Sequence, residues 1–98
     1  MTAIIDSTPD TGADSDVGYV NRGMFSLSIS GLADSTATVK RSYDGGSTYF
    51  DVEAFTADTE KTGFEGEGAE YKVSISGGTD TGVTTRIGQT PGMAHYGS

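Results

Sequence analysis

The sequence predicts an all-β protein, a small antiparallel β-sandwich or barrel of five or six strands and roughly immunoglobulin size. Three observations carry that expectation. Apolar and polar residues alternate with period two through most of residues 24–88, the spacing that turns one strand face to a core and the other to water. The alternating runs are separated by clusters of Gly, Asp, Ser and Thr with the chemistry of tight turns. No segment carries the i, i+3, i+4, i+7 stripe of an amphipathic helix.

The first clear strand sets Phe25, Leu27 and Ile29 between Ser26, Ser28 and Ser30. Val39, Arg41 and Tyr43 alternate with Thr38, Lys40 and Ser42 in the second, and Phe50, Val52 and Ala54 with Asp51 and Glu53 in the third. A weaker strand runs through Lys61 to Glu65, with Phe64 its only large apolar residue. Tyr71, Val73 and Ile75 then alternate with Lys72, Ser74 and Ser76, and Val83, Thr85 and Ile87 with Thr84 and Arg86. The expected core is Phe25, Leu27, Ile29, Val39, Phe50, Val52, Phe55, Tyr71, Val73, Ile75, Val83 and Ile87.

That core is thin. Leu, Ile, Val and Phe together make 17 of the 98 residues, whereas Gly, Ser and Thr make 40. Burying a large side chain contributes roughly 1.5–3 kcal/mol, against roughly 1–2 kcal/mol of backbone entropy for every residue ordered. Such a domain is marginal alone, and oligomerisation or docking is the expected remedy. The chain divides into an extended arm (1–23), a β-sandwich domain (24–88) and a tail (89–98). Ile4, Ile5, Val17, Tyr19 and Val20 are the anchors that such an arm is expected to lay on a neighbouring subunit or larger partner, adding a strand to an exposed edge.

Charge and composition remove several function classes. Six basic residues stand against 14 acidic ones, a formal net charge of −8, which repels phosphate backbones and argues against a nucleic-acid partner. The absence of cysteine excludes disulfides, thiolate chemistry, zinc knuckles and iron–sulfur clusters. Apart from Ala3-Ile4-Ile5 no apolar run exceeds two residues, so neither a membrane span nor a secretory signal is expected. His95 is the sole histidine, and with no cysteine beside it no nucleophile–base pair can be built. There is no G-x-S-x-G elbow and no phosphate loop. No catalytic, cofactor-binding or metal-ligating residue is therefore expected, and the chain is not expected to be an enzyme.

Two acidic patterns bear on that conclusion. Asp10-Thr11-Gly12-Ala13-Asp14 looks like the active-site turn of retroviral aspartic proteases, and Asp80-Thr81-Gly82 repeats the triplet. That chemistry needs two carboxylates sharing a proton at a buried junction behind an apolar strand. Here Ser7-Thr8-Pro9 precedes one triplet and a glycine-rich loop holds the other, so both read as acidic turns. Asp6, Asp10, Asp14 and Asp16 lack the spacing of an EF-hand loop; they read as a solvated acidic arm, and Glu65, Glu67 and Glu70 as solvated acids too.

The most specific local pattern is Ser42-Tyr43-Asp44-Gly45-Gly46-Ser47-Thr48-Tyr49. It resembles the Asp-box hairpin of sialidases and other β-propellers, matched at Ser42, Asp44, Gly46 and Thr48, with Tyr49 for the usual Trp or Phe. In that family the box is a structural turn remote from catalysis. A tight hairpin is expected, with strands ending near Tyr43 and restarting near Thr48, Asp44 accepting turn amides, and Gly45 and Gly46 at positive φ.

A wider resemblance covers Met24 to Gln89. The run SYDGGSTYFDVEAFTADTEK, Ser42 to Lys61, and the later EYKV, Glu70 to Val73, are similar to small β-sandwich structural proteins of tailed bacteriophages. The resemblance implies a virion part, such as a capsid decoration (cement) or head accessory protein. It implies a major capsid protein or other virion protein as partner, a homo-oligomer or symmetric array, and assembly in the host cytoplasm. The alternative is a glycan- or receptor-binding module on a phage particle, for which Tyr43 and Tyr49 are the candidate platform.

Overall fold

The computed structural model describes residues 2–89. Of the expected tail (89–98), Gln89 instead closes the last strand, and residues 90–98, with His95, lie outside the described residues.

Eight strands form: β1 (Thr2–Ser7), β2 (Gly18–Val20), β3 (Gly23–Ser30), β4 (Thr36–Ser42), β5 (Phe50–Phe55), β6 (Thr59–Glu65), β7 (Ala69–Ser76) and β8 (Thr84–Gln89). They build two four-stranded sheets, ordered β1-β8-β3-β6 and β2-β7-β4-β5, and every neighbouring pair is antiparallel. The chain changes sheet at every connection except the β4–β5 hairpin, which is the eight-stranded arrangement of a jelly roll.

The six strands expected from the alternation are β3 to β8; the other two come from the segment read as an arm. β1 pairs with β8, and β2 with β7. Between them the chain also tracks β7: Gly12 N–H donates to the Ile75 carbonyl at 2.7 Å and Ser15 N–H to that of Val73 at 2.8 Å. Residues 2–20 thus fold back on their own sandwich. Ile5 and Val20 lie fully buried in its core and Ile4 packs against it, so these three are not free to anchor a neighbour, whereas Val17 and Tyr19 are exposed. Gly18 lets the two strands approach, since a Cβ there would collide with Ile4.

The core follows the strand faces. β3 and β7 alternate buried and open positions along their length, and Phe25 meets Tyr71 edge-to-face at 5.3 Å between ring centroids. Leu32, Ala37 and Ala69 join the expected residues. Phe50 and Val52 do not, at 65% and 43% exposed. The cause is local: β5 is an edge strand, its register against β4 slips between Val39 and Lys40, and no β5 residue is buried. A bulge of this kind bends the edge out of the layer it would otherwise cover.

Candidate functional site

The two sides of the sandwich differ. On one, β1 and β2 are joined by chain that crosses between the sheets. On the other, the free edges of β5 and β6 leave a groove of about 170 Å³ lined by Phe25, Leu27, Val52, Phe55, Phe64 and Tyr71 among others. Phe64 on its rim is 62% exposed. Gly63 lets the Phe25 ring lie over β6, because it sits opposite Phe25 in the β3–β6 ladder and a Cβ there would lie 2.6 Å from that ring. Across the mouth, Lys61 Nζ donates to both Glu53 oxygens at 3.0 and 3.1 Å and lies 5.7 Å from the centre of the Phe55 ring. Inward-pointing charges of this type, together with the β5 bulge, keep two open edges from pairing indiscriminately.

At the Gly63 end of the groove stands a polar cluster that the sequence reading missed. Glu65, expected to be solvated, is fully buried. It accepts from the Tyr71 hydroxyl at 2.6 Å, the Tyr43 hydroxyl at 3.2 Å, and the Glu67 and Gly68 amides at 3.0 and 3.1 Å. The Arg41 guanidinium lies 3.7 Å away. Burial pushes the Glu65 carboxyl up, but these hydrogen bonds outweigh it and hold the group below the usual carboxylate range. Burial, then the hydrogen bond to Glu65, pushes the Tyr71 hydroxyl up to about 12. The available signal was positional: Lys61, Gly63 and Glu65 share the face of β6 opposite Phe64, so Glu65 occupies an inward position.

In the β4–β5 loop, residues 43–49, Ser42 Oγ donates to Asp44 Oδ1 at 2.7 Å and accepts the Gly46 amide at 2.9 Å. Asp44 Oδ1 also accepts the Thr48 amide at 2.9 Å. The Ser42 and Thr48 bonds hold the Asp44 carboxyl below its usual range. Gly45 and Gly46 take φ of +76° and +96°. The strands end at Ser42 and restart at Phe50, so the connection is longer than expected. Tyr43 stacks on Arg41, on the inner face of its sheet, and Tyr49 lies against Lys72, on the outer face. The two tyrosines are not brought into one platform.

The acidic turns are occupied by the chain itself. Asp80 Oδ2 accepts the Ala33, Asp34 and Ser35 amides at 2.9–3.1 Å, and the Ala33 amide leads in holding its carboxyl low. The two Asp-Thr-Gly triplets do meet, as Gly82 N–H donates to Asp10 Oδ1 at 2.8 Å and Thr11 N–H to the Asp80 carbonyl at 2.9 Å. Each carboxylate is thereby committed to main-chain donors. Asp14 is held below its usual range by Lys72 at 2.8 Å and Ser74 at 2.6 Å. Among the described residues no three His, Cys, Asp or Glu side chains are grouped to hold a metal ion.

No family model, curated protein or solved structure matches this chain.

Proposed function

We propose that the protein is a structural component of a bacteriophage virion, a capsid decoration or head accessory protein without catalytic activity. It stabilises the particle by docking on the major capsid protein or another virion protein, in a homo-oligomer or symmetric array, and is assembled in the host cytoplasm. The observation that carries this reading is the open side of the sandwich. A strongly acidic domain leaves Val52 and Phe64 in water on a groove and Phe50 exposed at the start of β5, and apolar surface of that kind marks an interaction site. The resemblance over Met24 to Gln89 supplies the virion context. Jelly rolls occur in viral capsid domains, but also in lectins and cupins, so the architecture agrees with the reading without selecting it. The separation of Tyr43 from Tyr49 removes the one feature that favoured glycan binding. Purified particles test the proposal: quantitative mass spectrometry should find the chain at a fixed ratio to the major capsid protein. Its absence from the particles would overturn the assignment.

A further inference from the structure

The groove between β5 and β6 has a definite chemistry beyond being apolar. Its volume of about 170 Å³ is close to the ~150 Å³ of cavities that take up a benzene ring, so it suits a single apolar side chain of that size. Its surroundings are acidic. Asp58, whose Oδ1 accepts the Leu32 amide at 2.9 Å, lies in the β5–β6 connection at one end and Glu67 in the β6–β7 turn at the other, while Glu60 stands on the outer face of β6, where it accepts from the Ser28 hydroxyl at 3.1 Å. Among the described residues none of these three forms an ion pair, while the nearby cations Lys40, Arg41 and Lys61 already face Asp51, Glu65 and Glu53. Lys61 and Glu53 are themselves about half exposed, so water or a competing cation can reach them.

We propose that this open side receives an extended segment of another protein in which apolar side chains alternate with lysine or arginine. An apolar side chain fills the groove between Val52 and Phe64. A basic neighbour takes Glu53 from Lys61, and others meet the acidic rim. Charge complementarity selects this occupant over a second copy, which brings the same rim and another net charge of −8. The β5 bulge and the inward charge pair hinder backbone pairing along the edge, so side chains carry the recognition. This rests on the docking role proposed above and gives the chemistry of its partner.

The full ¹⁵N-labelled chain, titrated by NMR with the synthetic peptide Lys-Val-Lys-Phe-Lys-Val-Lys and with its glutamate-for-lysine counterpart, tests it. The lysine peptide should shift amides of β5 and β6, and its affinity should fall several-fold on raising salt from 50 to 300 mM. The glutamate peptide should not bind. Val52→Lys, at an exposed edge position, should weaken the lysine peptide at least tenfold. Lys61→Met, which removes the internal competitor for Glu53, should tighten it. No shift at millimolar peptide, equal binding of both peptides, shifts confined to other strands, or indifference to both substitutions would overturn the proposal. So would self-association that buries β5 and β6. A failed titration with the chain still at fixed copy number on particles defeats this docking chemistry alone; a chain absent from particles defeats the virion role instead.

Discussion

Glu65 shows how one side chain ties several elements together. Its carboxylate joins the β6–β7 turn through two amides, β7 through Tyr71 and the β4–β5 loop through Tyr43. Removing its charge leaves donors arranged around a weaker acceptor, and hydrogen bonds to a charged group are worth about 1.5–3 kcal/mol. Glu65→Gln should therefore destabilise folding by about 2–3 kcal/mol in urea titrations at pH 7. Because the folded-state carboxyl sits below its ordinary value of 4.5, folding is favoured by this group above that pH. The contribution is lost as pH falls through the lowered folded value, and the substitution should flatten the acid limb of the stability profile. Tyr71 has the opposite sign. Its hydroxyl is raised from 10.0 to about 12, so its contribution is complete below pH 10 and disappears as pH rises through 12. Tyr71→Phe should remove that alkaline loss, read by circular dichroism between pH 9 and 12.

The strands depend on glycines at two places. In the β4–β5 loop, Gly45 and Gly46 hold positive φ, which a β-branched residue adopts at a cost of about 1–2 kcal/mol; Gly45→Val or Gly46→Val should lower stability by that amount. Gly63→Val should cost about 1–3 kcal/mol, since the new side chain meets Phe25 in a packed site, and thermal melting will show both effects. How legible each strand was follows from the same physics. β3 and β7 are central in their sheets, so clean alternation in sequence became clean alternation in burial. β5 alternates equally well in sequence, yet the β4–β5 slip and its edge position leave Phe50 and Val52 in water. β1 and β2 carry too few apolar residues among Asp, Thr and Gly to read as strands, and form because β8 and β7 offer them ladder partners. Of the candidate site, the loop glycines and Asp44 were visible as turn chemistry. The groove was not, because it depends on the consecutive strands β5 and β6 falling into different sheets instead of pairing as a hairpin.

At the scale of the whole molecule, the terminal segment proves intrinsic to the sandwich. Residues 2–20 cover one edge of β8 and of β7 and bury Ile5 and Val20. Deleting residues 1–8 should therefore abolish cooperative unfolding, with loss of amide-exchange protection along β8. Among the described residues the opposite side is left open, and its apolar groove is where docking is proposed. Adding purified chain back to particles stripped of it tests that claim most directly, with occupancy measured by sedimentation against the major capsid protein. The wild-type chain should saturate at a fixed ratio, while Val52→Lys, folded to the same degree, should stay in the supernatant. Wild-type chain that fails to bind, or Val52→Lys that reaches the same occupancy, would contradict it.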